Sequence, residues 1–422
     1  MTDQAFATHT IRTGVRKIDF ASRPSLSSAD MLDAELALAL KFLQDPLTCV
    51  ADIQYVRLRG KQIAQARTYR ATLAVRKINE NLRAADAGFG DDRRSVVLSL
   101  KSVLSETVGF NLYKLDVRQF YESFDHALVV SHLRAADHIS NGTRRVVEIL
   151  LNHHASRGMS GLPRGLCLSS TLSEQMMAPF DSYIESHPEV FFYRRYVDDL
   201  TMVTSQREDP AQFLKDVSAR LAELSPKLEF KSKKHYQLSA KRFRARDARE
   251  SYSPKFNTFD YLGYAYNVAV ERHKKTVPPG REVWLDIASN KIAKIKTRLI
   301  KSYLAYLKDK NFTLLDSRIR HLTSNMSLLD RSRGVRRMIG IHFNYPLVDY
   351  DRTVALHELD RFLRNSLTSS KGRVFRKLAA TLSATQKASL ARHSFFAGAK
   401  ARHFFQLNVS MLGAVQRCWK YG

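Results

Sequence analysis

Cysteines are few in this sequence, and their scarcity argues against a disulfide-stabilised protein and against a zinc-binding one. Cys49, Cys167 and Cys418 are the three among 422 residues. They are widely separated and odd in number, so the chain offers neither a disulfide framework nor the CxxC or Cys/His spacing of a zinc site. We interpret all three as ordinary residues of a protein in a reducing compartment.

Long apolar runs are also absent from the sequence. No window approaches 18 consecutive uncharged apolar residues, so no membrane-spanning segment is predicted. Residues 1–17 lack an apolar stretch after a basic start and make a poor signal peptide, so we expect a cytoplasmic protein. A hydrophobic fraction of 44% argues against disorder, and 422 residues suffice for two or three lobes.

Acidic residues are scarce relative to basic ones. The chain has 41 Asp and Glu against 68 Lys and Arg, a net charge of +27, which favours a polyanionic partner. Residues 281–422 alone hold 27 basic and nine acidic residues, a net +18, and this part is the predicted nucleic-acid grip. A basic surface that serves solubility alone is the alternative.

The first hundred residues predict helices and a hairpin. The segment 27–45 predicts a docking helix that is capped by Ser28 or Asp30. Gly60 marks the turn of a hairpin, residues 84–94 predict a loop, and an amphipathic helix follows that loop. The expected apolar stripe of the docking helix runs through Met31, Leu36, Leu38 and Leu40, and that of the amphipathic helix through Val97, Leu100, Val103 and Leu104.

Strands and helices then alternate without a strict βαβ repeat, which favours a mixed, palm-like sheet over a Rossmann sheet. Residues 191–204 predict a hairpin, and 228–238 with 259–268 predict a strand pair. Beyond about residue 280 the pattern becomes wholly helical, with Ile292, Ile295, Leu299, Tyr303 and Leu307 recurring at helical spacing.

Two adjacent carboxylates at the predicted hairpin tip suggest a metal site. Asp198 and Asp199 follow Tyr196 and Val197, between two apolar runs of strand character. Paired carboxylates repel each other unless a cation neutralises them, and Mg²⁺ prefers such oxygen ligands. A pattern this short arises by chance with a probability on the order of 0.1 in a chain of this size, so an ordinary acidic turn is the alternative.

A third acid strengthens the metal interpretation. Asp116 ends a predicted strand upstream of the hairpin. A two-metal centre for nucleotidyl transfer needs carboxylates from two chain segments to bracket both ions. Asp116 could instead cap a helix that begins at Arg118 or Gln119.

These residues resemble the reverse transcriptase family in at least four ordered motifs. LDVRQFY is similar to the first catalytic motif, and Tyr121 then falls at the aromatic gate under the incoming sugar. The gate implies dNTPs and distinguishes the chain from RNA-dependent RNA polymerases. GLPRGLCLSSTLSE is similar to the LPQG motif, from which Arg164 and Ser170 depart, since Gln and Pro are usual there.

The resemblance also implies roles for individual residues. Asp116 and Asp198 would bind two Mg²⁺ ions, with Mn²⁺ as the substitute, together with the backbone carbonyl of Val117, and Asp199 would assist them. Lys234, or Lys233 beside it, would act on pyrophosphate, unless these lysines are only a solvated strand edge. The implied dNTP contacts are Tyr121, Arg67, Arg70, Arg164 and Gly165, and the implied primer grip is Leu262 and Gly263. Arg59 and Lys61 are further candidates for the triphosphate, and each such cation could equally be a surface charge.

The implied fold is α+β: a right-hand polymerase palm and fingers, with a mixed or antiparallel sheet and helices, followed by a mostly α-helical thumb and C-terminal region. The expected domains are an N-terminal helical segment at 1–50, fingers and palm at 51–270, and a basic helical thumb and C-terminal domain at 271–422. Expected partners are a template or non-coding RNA, the DNA product and dNTPs, with no membrane. Self-association or a partner reverse transcriptase or effector is compatible with the sequence.

The changed LPQG motif and the long basic end look most like the bacterial defence-associated or abortive-infection reverse transcriptases. This branch implies DNA synthesis against phage, on an associated non-coding RNA, in the bacterial cytoplasm. The sequence lacks the RNase H, HNH, protease and integrase patterns of longer retroelement proteins. A retron or group II intron enzyme, an RNA-dependent RNA polymerase and a structural RNA-binding protein with a vestigial palm are the alternatives.

Overall fold

The computed structural model describes residues 3–58, 60–83, 92–238, 255–270, 280–330, 335–407 and 409–420. Arg59 and most of the predicted loop at 84–94 lie outside this range. In chain order, the first half contains α1 Thr8–Arg12, α2 Lys17–Ser22, α3 Ala29–Gln44, α4 Pro46–Cys49, β1 Ile53–Leu58, β2 Lys61–Ala66, α5 Tyr69–Arg83, α6 Arg93–Leu104, β3 Phe110–Val117, α7 His126–Ala135, α8 Asn141–Ser156, α9 Cys167–Glu185, β4 Val190–Tyr196, β5 Asp199–Ser205 and α10 Pro210–Leu224.

The second half begins with strands and ends with helices. It contains β6 Phe230–Leu238, β7 Phe256–Tyr261, β8 Tyr264–Ala269, β9 Val283–Ile287, α11 Ser289–Asp309, α12 Phe312–Thr323, β10 Asn325–Asp330, β11 Val335–Gly340, α13 Ile341–Asn344, α14 Ala355–Thr368, α15 Arg373–Thr381, α16 Ala384–Ala391, α17 Phe395–Lys400 and α18 Val409–Lys420. No helix in the described part of the chain is long and apolar enough to cross a membrane.

The predicted docking helix is confirmed as α3, but its buried face differs from the prediction. Met31 and Leu38 are 48% and 40% exposed. The buried side chains are Leu32, Leu36, Ala39, Phe42 and Leu43. Residues three, four and seven positions apart share a helix face, so Met31 and Leu38 point away from the stripe that starts at Leu32.

A four-stranded antiparallel sheet forms the centre of the first half, in the order β4-β5-β3-β6. β5 is buried from Leu200 onward because helices cover this sheet, and α9 and α10 pack against each other beside it. A single apolar cluster joins side chains of α3, α5, α8 and α9 to β3 and β5. The hairpin predicted at 191–204 is confirmed as β4 and β5.

Two predictions about the later strands were wrong. β6 pairs with β3, and β7 pairs with β8, so 228–238 and 259–268 do not form a strand pair with each other. Alternation identifies a strand but not its partner, because the partner depends on register and on the intervening chain. The region beyond residue 280 is mostly but not wholly helical, since β9 adds to the β7-β8 hairpin and β10 pairs with β11.

The chain divides into two compact units. The first comprises Met1–Val96 and Val108–Ala240, and the second comprises Val97–Thr107, Lys241–Asp330 and Gly334–Gly422. The first unit contains the four-stranded sheet, and the second contains the three-stranded sheet β7-β8-β9 and the C-terminal helices. The predicted α+β class, with antiparallel sheets, covering helices and a mostly helical C-terminal region, is confirmed.

Candidate active site

The central sheet brings the three aspartates to one edge. Asp116 on β3 lies directly opposite Asp199 on β5. Tyr196 pairs with Asp199, so Val197 and Asp198 form a two-residue hairpin loop, and the amide of Val117 donates to the carbonyl oxygen of Asp198 at 3.0 Å. Asp116 does not cap a helix, because the next turn, Phe120–Ser123, is preceded by Gln119 and has no side-chain cap.

The hairpin loop has a strained backbone and is anchored by the side chain of Arg195. Val197 has φ +59°, a left-handed conformation that is rare for a β-branched residue. A positive φ is expected at the first loop position of a type II′ turn. Arg195, whose side chain is 5% exposed, forms ion pairs of 2.6 Å with Glu174 and Asp181 on α9. Its guanidinium also donates to the Val197 carbonyl oxygen at 3.3 Å, so α9 anchors the loop.

The environment of the loop disfavours negative charge. Burial raises the pKa of Asp198, the nearby charge of Asp116 raises it further, and Arg164 and Lys61 oppose the shift. Burial also raises the pKa of Asp199, against the opposing charge of Lys114. Carboxylates in such a position gain from any cation that approaches them.

Two lysines already lie beside these acids, and sequence reasoning missed both. Lys114 Nζ lies 3.7 Å from Asp199 Oδ1, and Lys231 Nζ lies 3.6 Å from Asp116 Oδ2. Lys114 is two residues before Asp116, so strand alternation could have placed it on the same face. Lys231 lies at a register shift where β6 skips one residue opposite β3, which no sequence pattern indicates.

The oxygen donors of these acids are of the kind that binds a divalent ion, but the acidic side chains are not arranged around a single ion position. Among the described residues, no group of three His, Cys, Asp or Glu side chains is arranged to hold a metal. Oxygen donors from Asp116, Asp198 and the Val117 backbone are of the type that Mg²⁺ prefers.

Strand register separates the two lysine candidates. Lys234 lies opposite Lys114, and Ser232 lies opposite Asp116. Directly opposite residues share a face of the sheet and neighbours alternate, so Lys234 lies on the same face as Asp116. Lys233 points to the other face, where its Nζ donates to the Ser218 hydroxyl on α10 at 2.7 Å.

Tyr121 is enclosed by the two residues that depart from the family motif. The Arg164 guanidinium lies 4.9 Å from the Tyr121 ring centroid and forms two hydrogen bonds of 2.8 Å to Glu122. Burial raises the pKa of Tyr121, and a hydrogen bond with Ser170 opposes the shift. Burial would raise the pKa of Glu122, but the hydrogen bonds and charge of Arg164, together with a backbone hydrogen bond and the charge of Lys61, make the net shift downward.

The loop that carries Arg164 is fixed by close backbone contacts. Gly161 has φ +72°, and a Cβ there would lie 2.2 Å from the Tyr121 carbonyl oxygen. Gly165 has φ +106°, and a Cβ there would lie 2.5 Å from the Ala64 carbonyl oxygen on β2. The Ala64 amide donates to the Arg164 carbonyl oxygen at 2.7 Å, so this loop joins the β1-β2 hairpin to Tyr121.

The remaining predicted contacts lie in different surroundings. Arg70 Nε bonds Asp52 Oδ2 at 2.5 Å, whereas Arg67 is exposed. The positive charge of Lys61, at the start of β2, opposes the rise in the pKa of Asp198 and helps to lower the pKa of Glu122. Leu262 and Gly263, in the second unit, form the two-residue loop between β7 and β8, both with positive φ as in a type I′ turn.

The chain is similar to known proteins over part of its length. Residues 69–266, a little under half of the chain, match the model of the family "Reverse transcriptase (RNA-dependent DNA polymerase)". No protein of curated function matches the chain. The segment 69–266 contains the three aspartates, Tyr121, the loop of Arg164, and β7 with the first half of β8.

Solved structures of telomerase from Candida tropicalis also align with the chain. A complex with the TWJ fragment of telomeric RNA has a TM-score of 0.36 at 12% identity, and the apo enzyme has 0.35 at 11%. Each alignment covers 88% of this chain, which spans 64% and 65% of the telomerase chains. By its match over residues 69–266, the central part of this chain is similar to the reverse transcriptases, the family of RNA-dependent DNA polymerases.

Proposed function

We propose that this protein is an RNA-directed DNA polymerase, with Asp116, Asp198 and Asp199 as its catalytic acids. The observation that carries the proposal is the register of the central sheet, which sets Asp116 opposite Asp199 with Asp198 in the adjoining loop. These acids lie within the segment that matches the reverse transcriptase family.

Divalent metal ions fit this proposal because reverse transcriptase domains generally use them. Asp116, Asp198 and the Val117 carbonyl would hold two Mg²⁺, with Mn²⁺ as the substitute, and Asp199 would assist. The bound ions would activate the attacking primer 3′-hydroxyl and neutralise the leaving pyrophosphate. Lys114 and Lys231 lie within ion-pair distance of Asp199 and Asp116, next to the proposed metal ligands.

The incoming dNTP would meet residues of two neighbouring segments. Tyr121 is the proposed gate against the ribose 2′-hydroxyl, and the loop at Arg164 and Gly165 supports it. Among the cations of the β1-β2 hairpin and the residues that follow it, Lys61 is the favoured contact for the triphosphate, because its charge opposes the rise in the pKa of Asp198. Arg70, by contrast, is paired with Asp52. Lys234, on the face of Asp116, is the proposed residue for pyrophosphate.

The proposed setting is bacterial antiphage defence, in the cytoplasm, with a non-coding RNA as template. Support for this setting comes from the changed motif at Arg164 and Ser170 and from the net +18 over residues 281–422. A retron or group II intron-like enzyme is the alternative within the family. A structural RNA-binding protein with a vestigial palm is the alternative from a different class.

A primer-extension assay tests the proposal. Asp116→Asn and Asp198→Asn should each lower dNTP incorporation on an RNA template by at least roughly a hundredfold, more than the loss of an outer-sphere partner. RNA affinity should stay within about twofold, because neither residue belongs to the basic C-terminal region. Asp137→Asn, which removes an exposed acid of the same unit, is the control and should be fully active.

Two results would contradict the proposal. Full incorporation by either aspartate variant would remove the assigned centre. Absence of divalent-dependent incorporation by the wild-type protein, on its co-purified RNA and with all four dNTPs, would favour the structural RNA-binding protein.

A further inference from the structure

A cavity of about 370 Å³ lies within the second unit. Helices α11, α12, α13 and α18 and the β10-β11 pair contribute its walls. Cavities of roughly 300–1,000 Å³ commonly hold small ligands. Its lining includes none of the residues assigned to the proposed polymerase centre, so any ligand here would serve a separate purpose.

The cavity is lined by positive charge. Lys291, Lys294 and Arg298 lie three and four residues apart on α11, so they share one face of that helix. None of the lining residues that the structure describes is acidic. Like charges grouped around one space repel each other, and an anion within it would relieve that repulsion.

His321 contributes a neutral ring to the wall of the cavity. Burial lowers the pKa of His321 to about 4, with the charge of Arg298 adding to the shift, so the imidazole is neutral at pH 7. Its Nδ1 is buried and does not face the cavity. The positive charge of the lining therefore comes from α11 alone.

The rest of the lining is suited to a flat, partly apolar group. Ile295, Leu322, Met326 and Ile341 supply apolar surface, and Asn344 and Gln416 supply amides. A lining that combines cations with apolar and amide groups matches the phosphate and the base of a nucleotide.

The wall at the β10-β11 end is rigid. A Cβ at Gly340, which has φ +128°, would lie 2.5 Å from Asn325 Cα and from the Ser324 carbonyl oxygen. Asn325 is fully buried and donates to the carbonyl oxygens of Gly398 and His403 at 3.0 Å. A preformed wall of this kind loses little conformational freedom when a ligand binds.

We propose that this cavity binds a nucleotide through its phosphate, with Lys291, Lys294 and Arg298 on the phosphate oxygens. The nucleotide can be free in solution or can be the phosphorylated 5′ end of the bound RNA. The two sources share one chemistry. This function goes beyond DNA synthesis and does not depend on it.

The test compares the variant Lys291→Gln/Lys294→Gln with a matched control. Lys215→Gln/Lys308→Gln removes the same charge from two exposed helical lysines that do not line the cavity. Calorimetry measures ATP binding, and fluorescence anisotropy compares 5′-triphosphorylated with 5′-hydroxyl RNA of one sequence, without divalent metal. Removal of two charged groups should weaken binding by at least roughly tenfold in the cavity variant alone.

Each outcome has a defined meaning. Loss of ATP binding in the cavity variant identifies a free nucleotide as ligand, and loss of the preference for triphosphorylated RNA identifies the RNA end. Equal affinities of wild type and cavity variant for both probes overturn the proposal, as do equal losses in both variants or no binding by the wild type. If the double variant does not fold by circular dichroism, Lys291→Gln alone is measured against Lys308→Gln by the same criteria.

Discussion

At the scale of one residue, the proposed metal ligand Asp198 opposes the stability of the fold. Its pKa is raised, so the folded state binds a proton at this carboxyl more tightly than the unfolded state does. Stability therefore falls as the pH rises through the raised pKa, and at neutral pH the charged carboxylate destabilises the fold. A bound cation would reverse this effect, which is the purpose that we propose for the site.

Replacing Asp198 should consequently stabilise the protein while it abolishes activity. Asp198→Asn should have a higher urea midpoint than the wild type at pH 7.5, because the amide carries no charge in the same partly buried position. The difference should shrink as the pH is lowered toward 3.8, the ordinary value for this group. A difference that persists unchanged at the lowest pH where the fold survives would contradict the electrostatic explanation, and Asp137→Asn should show no difference at either pH.

Tyr121 is the residue on which sugar selectivity should depend. Tyr121→Ala should raise the efficiency of ribonucleotide incorporation relative to dNTPs by at least roughly tenfold, the usual effect of removing bulk from a selective pocket. Tyr121→Phe keeps the ring and loses only the hydroxyl that bonds Ser170, so it should retain most of the selectivity. Steady-state kinetics with both nucleotide types measure the ratio, and an unchanged ratio in Tyr121→Ala would assign the gate elsewhere.

The sequence predicted part of this site and missed the rest for physical reasons. The grouping of Asp116, Asp198 and Asp199 followed from a strand end and a hairpin tip, and the structure brings these residues together. The roles of these residues stay predictions. Lys231 could not be found because it reaches Asp116 through an irregularity in strand register, and Glu122 could not be recognised as the partner of Arg164 because 42 residues separate them.

At the scale of elements, the loop between α8 and α9 positions Tyr121 through its backbone. The Leu162 amide donates to the Tyr121 carbonyl oxygen at 2.8 Å, and Gly161 leaves no room for a side chain beside it. Gly158, in the same loop, has the same φ of +72° but nothing within 4 Å of an added Cβ. The two glycines therefore separate the effect of backbone conformation from that of close contact.

Alanine at the two positions should give very different results. Gly158→Ala should cost about 1–2 kcal/mol, the usual penalty of a left-handed non-glycine residue. Gly161→Ala should cost at least about 2 kcal/mol more, because its Cβ would overlap backbone atoms of Tyr121 and Glu122, and overpacking of this kind is seldom absorbed. Urea unfolding of both variants measures the difference, and equal losses would show that the contact with Tyr121 is not tight.

The elements themselves were easier to predict than their pairings. Helical periodicity identified α3, α6 and α11, because each has a continuous apolar face. β9 was missed because a strand of five residues that joins an existing hairpin has too little periodicity of its own. The partner of β6 was wrong because pairing is a long-range choice between strands of similar composition.

For the whole molecule, part of the excess of basic residues forms an exposed cluster on α14, on α15 and between them. The apolar side chains of α14 face inward, among them Leu356, Leu359, Leu363 and Leu367, all at most 1% exposed. The segment 361–377 exposes the basic residues Arg361, Arg364, Lys371, Arg373, Arg376 and Lys377. An outward row of cations on an amphipathic helix pair is suited to phosphate groups along an RNA strand.

The salt dependence of RNA binding should therefore change when this surface is neutralised. Replacing Arg361, Arg364, Arg373 and Arg376 with Gln should lower the slope of log affinity against log salt by up to roughly 0.7 for each phosphate of single-stranded RNA that is no longer neutralised. Gln at Arg157, Arg207, Lys215 and Lys227 removes as much charge from exposed positions in the first unit and is the control. Equal slopes for the two quadruple variants would show that the charge acts only through its total.

The lysines of β6 also affect how copies of the protein behave toward one another. Among the described strands, β6 is an outer strand of the four-stranded sheet, and such a strand offers unpaired backbone groups on which a second molecule can add its own strand. Lys231, Lys233 and Lys234 are exposed along it. Two such strands from different copies would bring like charges together, so these lysines, of which Lys234 is the one proposed for catalysis, would also keep the protein from aggregating through its sheet.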